Sequence, residues 1–166
     1  DALPAILAGN TVVVRPDNQT PWSAIRGLNL LRQAGLPEGV MTIVTGDGNT
    51  TGTALIDEVD YVCFTGSTNT GKIVAAQAGA RLIGASLELG GKNPMIVCSD
   101  ANLETFLEVA VRGCFTSAGQ LCVSIERMYI HESICEKFLN AFVKKVKELK
   151  LGAQLGWGYD VGSLVT

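Results

Sequence analysis

Tyr61-Val62-Cys63-Phe64-Thr65-Gly66-Ser67-Thr68 reads as a strand that runs straight into a helix. Aromatic and β-branched residues favour the extended chain, and Gly66-Ser67 supplies a tight turn with a hydroxyl where a helix cap belongs. The spacing predicts a helix from Asn69 to Ala78. The same alternation repeats outward in both directions. Upstream, residues 2–8 read as a short helix stopped by Gly9-Asn10, and Thr11-Val12-Val13-Val14 as a strand buried on both faces. Thr20 as N-cap with Pro21 at the first helical position opens a helix bearing Ile25, Leu28 and Leu31, which ends near Gly35. Residues 41–45 form a second strand and residues 51–56 a short helix. Downstream come strands at 82–87 and 94–97, then a helix whose apolar stripe runs through Leu103, Phe106, Leu107, Ala110, Val111, Cys114 and Phe115. A strand at 127–130 leads into a capping box, Ser133-Ile134-Cys135-Glu136, and a helix burying Ile134, Phe138, Phe142 and Val146. Strands alternating with helices predict an α/β fold: a Rossmann-like parallel sheet with flanking helices, continuing into the start of a second α/β domain.

Composition narrows the functional classes. Of 166 residues, 47% are apolar and 17% charged, which is globular rather than disordered. A mean hydropathy of +0.28 predicts apolar surface that needs covering. No apolar run approaches the roughly 20 residues of a membrane helix, so no membrane span is expected. Net charge is −3, and the one basic cluster, Lys144, Lys145, Lys147 and Lys150, suits a solvated helix end, so no nucleic-acid partner is expected. The five cysteines, Cys63, Cys98, Cys114, Cys122 and Cys135, lack CxxC spacing, which points to neither a disulfide framework nor a metal site and fits a reducing cytoplasm. Cys114 and Cys135 fall on helices and read as structural, and His131 as a surface turn residue. Both termini read as mid-sequence, so the chain is expected to be a fragment.

Two short motifs carry the chemistry. Glu88-Leu89-Gly90-Gly91-Lys92-Asn93-Pro94 sets a carboxylate beside two glycines, and Gly119-Gln120-Leu121-Cys122 sets a thiol after a glycine turn. Taken alone, Cys122 reads as a small hydrophobe and Glu88 as a solvated or capping carboxylate. In this order, with one strand and one helix between them, the two resemble the signature motifs of the aldehyde dehydrogenase superfamily. Three further stretches match that pattern: residues 8–13 with Arg15-Pro16 and Gln19-Thr20-Pro21, residues 35–40, and residues 64–67. The resemblance covers the whole chain but only about the middle third of such an enzyme, with Gly90-Gly91 as the joint. Residues 1–89 would be part of a dinucleotide-binding domain and residues 90–166 part of the catalytic, thiol-bearing domain.

The resemblance implies oxidation of a small-molecule aldehyde to the acid with NAD(P). Cys122 is the implied nucleophile, its backbone N–H an oxyanion donor, and Glu88 the base that activates water, with partial burial raising its pKa. Gly66 and Ser67, at a helix N-terminus, would receive the pyrophosphate. Gly46 would lie toward the adenine side, and Leu89 and Gly90 would also line the cofactor. Relatives that prefer NAD often carry Lys and Glu where this chain has Arg15 and Asn18. A guanidinium can hold a phosphate in a fork and an uncharged Asn does not repel one, so NADP is favoured over NAD. Residues 120–127 resemble bacterial succinate-semialdehyde dehydrogenases, which makes succinic semialdehyde the expected substrate and leaves Arg127 a structural role. Ser124 stands where some relatives have a second Cys, so no redox switch is expected. The implied oxyanion Asn, the residues holding the nicotinamide half and the oligomerisation segments lie outside residues 1–166. The parent enzyme is expected to be a homo-oligomer, and the isolated chain inactive. A CoA-acylating relative and an inactive nucleotide-binding fragment are the alternatives; Glu88 argues against the first.

Overall fold

The computed structural model describes residues 1–165 and divides the chain into two compact units, Asp1–Glu88 and Leu89–Thr166. Its architecture is α/β, with the strands hydrogen-bonded in three pairs.

The first unit opens with α1 (Ala2–Leu7), β1 (Val12–Val14), α2 (Pro21–Gln33) and β2 (Met41–Ile43). β1 and β2 are parallel, with Val12 opposite Met41 and Val14 opposite Ile43. Val13 nevertheless remains 43% exposed, so β1 is not buried on both faces as its unbroken valine run suggests. Period-two geometry turns Val13 away from the side that Val12 and Val14 share. Nor does Thr20 cap α2 with its side chain; the carboxylate of Asp17 instead accepts from the Gln19 N–H at 2.9 Å, and the Thr20 N–H bonds the Asp17 carbonyl. Leu28 on α2 and Met41 on β2 are buried.

A wide π-helical turn, Gly48–Gly52, precedes α3 (Thr53–Glu58), so the predicted helix at 51–56 begins in a different helical form. β3 (Tyr61–Gly66), α4 (Thr68–Ala80) and β4 (Gly84–Leu89) follow, with β3 paired to β4. Ile56, Val62 and Val74 form the buried centre, with Val59, Phe64, Ile83 and Leu87 against it. Arg81, at the end of α4, donates to the carbonyls of Ile56 and Val59, satisfying acceptors that α3 leaves open at its C-terminus.

The second unit contains β5 (Asn93–Val97), α5 (Leu103–Phe115), β6 (Ile125–Ile130) and α6 (Glu132–Lys147). β5 and β6 are parallel from Pro94 opposite Arg127 to Val97 opposite Ile130, with a register shift between Asn93 and Pro94. Val97, Leu107, Ala110 and Phe138 form its core, and Leu103 and Phe106 of the predicted α5 stripe and Ile134 and Phe142 of the α6 stripe pack against it. The Phe138 ring is fully buried, 5.5 Å from Phe142 and 6.2 Å from Phe106 between centroids. Ile96 and Tyr129 lie on the other face of the strands and are exposed. α6 begins one residue before the predicted capping box. His131, rather than Ser133, is the N-cap, and its Nδ1 accepts from the Ser133 N–H at 3.2 Å. An imidazole nitrogen with a lone pair does the work that a hydroxyl was expected to do.

Candidate active site

In the first unit the structure brings together three of the residues expected to meet cofactor. The Arg15 Nε donates to the Gly46 carbonyl at 2.9 Å, and its Nη2 to the Asn18 Oδ1 at 3.0 Å. Those bonds fix the plane of the guanidinium and leave further N–H groups for an anion. Gly46 has φ of +147°, with the Thr51 side chain lying against its Cα, so a larger residue would meet both backbone strain and a clash. Asp47 stabilises the turn that follows by accepting from the Asn49 N–H.

Gly66 and Ser67 stand where β3 passes into α4. The Ser67 hydroxyl accepts from the Thr70 N–H at 3.2 Å and donates to the Thr70 Oγ1. This is N-cap geometry on a helix of 13 residues, and both Gly66 and Ser67 are exposed. The remaining first-turn N–H groups, with the helix dipole behind them, suit a phosphate oxygen. Glu88 lies on β4 and is exposed, so the partial burial expected for it is not found in this chain. Leu89 ends β4 and Gly90 follows in the connection to β5.

In the second unit the thiol loop is built by a sequence of local constraints. α5 ends at Phe115, and Ser117, Ala118 and Gly119 then take φ of +53°, +58° and +75° in succession. Left-handed geometry costs a residue with a Cβ about 1–2 kcal/mol, so surrounding bonds must hold these two in place. Gln120 does so in part: its Nε2 donates to the Ser117 carbonyl at 2.9 Å, and its Oε1 accepts from the Val165 N–H at 2.8 Å. The chain next makes a turn over residues 121–124. The Ser124 N–H donates to the Leu121 carbonyl at 3.0 Å, and the Leu121 N–H returns to the Ser124 Oγ at 3.2 Å. Ser124 is only 4% exposed.

Cys122 occupies the outer part of that turn and is exposed. Its N–H has no partner among the described residues. The Asn93 side chain reaches across from β5 and donates to the carbonyls of Cys122, at 2.6 Å, and Ser124, at 3.0 Å. Beside it, Lys92 and Glu126 form an exposed ion pair. Cys114 differs from Cys122: it is partly buried on α5, and that burial pushes its thiol above the ordinary value of 9.0. Cys135 is partly buried too, while Cys63 and Cys98 are exposed outside the loop.

Asn93, Ser124 and Gln120 are the site residues that the sequence motifs contain without declaring. One local signal existed, since the residue before a proline is held extended and an Asn at a strand start must direct its amide to something. Its partners are 29 and 31 positions away and become visible only once β5 and β6 pair.

These features define an α/β protein with a serine-capped helix start in one unit and a thiol on a clamped turn in the other. The chain belongs to the aldehyde dehydrogenase family, whose family model matches residues 1–166. It is 50% identical, over all 166 residues, to a protein of Mycobacterium tuberculosis strain H37Rv named as putative succinate-semialdehyde dehydrogenase [NADP(+)] 2. An aldehyde dehydrogenase from Brucella melitensis biovar abortus 2308 shares 39% identity and superimposes over the whole chain with a TM-score of 0.95. PnpE, solved in complex with nicotinamide adenine dinucleotide, shares 37% over 98% of the chain, with a TM-score of 0.92. The chain spans 32% of the length of the mycobacterial relative, 35% of the Brucella structure and 34% of PnpE.

Proposed function

We propose that these residues serve an NADP-preferring aldehyde dehydrogenase that oxidises succinic semialdehyde to the acid, with Cys122 as nucleophile and Glu88 as the base of the hydrolytic step. The observation that carries the reading is the setting of Cys122. Of the five thiols, it is the one whose turn is held by a side-chain clamp, and its own backbone N–H has no partner among the described residues.

The Cys122 thiolate adds to the aldehyde carbon, forming a C–S bond and placing negative charge on the former carbonyl oxygen. The unpaired N–H of Cys122 is available to that oxygen as a hydrogen-bond donor. Loss of hydride from this adduct would leave a thioester on Cys122, and the hydride acceptor would be the chemistry that a nicotinamide dinucleotide supplies when bound. Glu88 then takes a proton from water, hydroxide adds to the thioester carbon, and the C–S bond breaks to release the acid and restore the thiolate.

For the dinucleotide, Arg15 and the start of α4 offer the fitting donor set. A guanidinium already oriented by Gly46 and Asn18 suits a ribose phosphate, and the N–H groups beside Gly66 and Ser67 suit the pyrophosphate. The mycobacterial relative's name, with both its substrate and NADP, supports the same choice. Reduced-cofactor formation from succinic semialdehyde, measured beside a Cys122→Ala variant, tests the proposal. Turnover should vanish in the variant; turnover that survives it would overturn the assignment of the nucleophile.

A further inference from the structure

We infer that Asn93 is a positioning residue for the thiol, acting as a two-pronged clamp that sets where Cys122 is presented. The inference rests on the reading of Cys122 as nucleophile and extends it to a residue outside the reacting groups. A carboxamide nitrogen has two N–H donors, and Asn93 commits them to the two carbonyls at 2.6 and 3.0 Å that flank Val123. Both acceptors belong to the same turn, so the amide fixes the direction of two peptide planes at once. The plane on the C-terminal side of Cys122 is one of them, and it limits the freedom of the Cα that carries the thiol.

Three neighbouring features make this a built arrangement. Ser124 closes the turn from inside, with a buried hydroxyl accepting the Leu121 N–H. The register shift between Asn93 and Pro94 takes Asn93 opposite Ile125 but Pro94 opposite Arg127, and such a bulge re-aims side chains at a strand end. The Lys92–Glu126 pair ties the same two strand entrances together one residue to the side. The clamp therefore joins the segment that follows Glu88 to the segment that bears Cys122, through bonds that lie wholly within the second unit.

The test is the rate of alkylation of each cysteine by iodoacetamide between pH 6 and 10, resolved by peptide mass spectrometry, in the protein and in Asn93→Ala, Asn93→Ser and Asn93→Asp variants. Cys63 and Cys98 are exposed internal references, and protection of the partly buried Cys114 and Cys135 reports that each variant is folded. In the unaltered protein Cys122 should react faster than both references. Loss of both donors in Asn93→Ala should slow Cys122 roughly tenfold, with the references unchanged, and one donor in Asn93→Ser should restore part of the rate. Asn93→Asp keeps the shape but turns a carboxylate toward two carbonyls. It should be slower than Ala, with its profile displaced to higher pH.

A space-filling role for Asn93 predicts the reverse order, with Asp tolerated and Ala worst. A fast Cys122 that keeps its rate and pH profile in all three variants, or that follows this reversed order, overturns the clamp and leaves the nucleophile standing. A Cys122 no faster than Cys63 and Cys98 in the unaltered protein overturns the nucleophile and the clamp with it.

Discussion

Replacing Phe138 by Ala should unfold the thiol-bearing unit at much lower denaturant than any other single truncation on α6. The ring has no exposed surface, packs in the cluster with Val97, Leu107 and Ala110, and lies within aromatic distance of Phe106 and Phe142. Truncating a buried Phe to Ala costs about 3–5 kcal/mol, set by lost transfer energy and by the cavity left behind. Native domains hold only about 5–15 kcal/mol in total, so the change removes a large share. With a urea slope of about 2 kcal/mol per molar, a cost of about 4 kcal/mol lowers the midpoint by about 2 M. Phe138→Leu keeps much of the volume but loses the ring pairs, and should fall between. The assay is urea titration followed by alkylation of Cys114 and Cys135, whose partial burial makes their labelling a local report of opening. Leu139→Ala, at the next position on the helix and 44% exposed, is the control and should change stability by no more than about 0.5 kcal/mol. A Phe138→Ala midpoint no lower than that of Leu139→Ala would refute the assignment of this ring to the core.

Three further outcomes follow from particular residues. His131→Ala removes the α6 cap and should cost about 1 kcal/mol in the same titration, while His131→Ser should recover most of it. Burial raises the Cys114 thiol in the folded state, so folding favours its protonated form. The resulting stability is present below pH 9.0 and is lost as pH rises through the folded value; Cys114→Ala should flatten that alkaline decline, seen in urea midpoints from pH 7 to 11. Asn18→Glu would place a carboxylate on the Arg15 guanidinium, where the amide oxygen now sits at 3.0 Å, and should move the ratio of kcat/KM for NADP over NAD down by roughly tenfold or more. A clear NAD preference in the unaltered protein, unmoved by Asn18→Glu, would refute the proposed phosphate contact.

The amino-acid sequence by itself determined the α/β alternation, because apolar periods of two and 3.6 residues are local properties of the chain. It likewise located Cys122 outside α5 and Cys114 inside it, since the stripe from Leu103 to Phe115 includes one thiol and ends before the other. The family resemblance was legible for the same reason: its motifs are contiguous.

Tertiary structure decided what contiguous residues cannot express. Val13 reads like its neighbours, yet is exposed because burial depends on what covers each face of a strand. His131 took the cap from Ser133 because β6 delivers the chain to α6 with the imidazole, two residues early, aimed at the open N–H groups. Glu88 is exposed because the burial of a carboxylate is a property of its surroundings rather than of its motif. Asn93 became part of the site only when β5 and β6 paired and brought its amide to two carbonyls about thirty residues away, for a hydrogen bond is specified by position in space and sequence records only position along the chain.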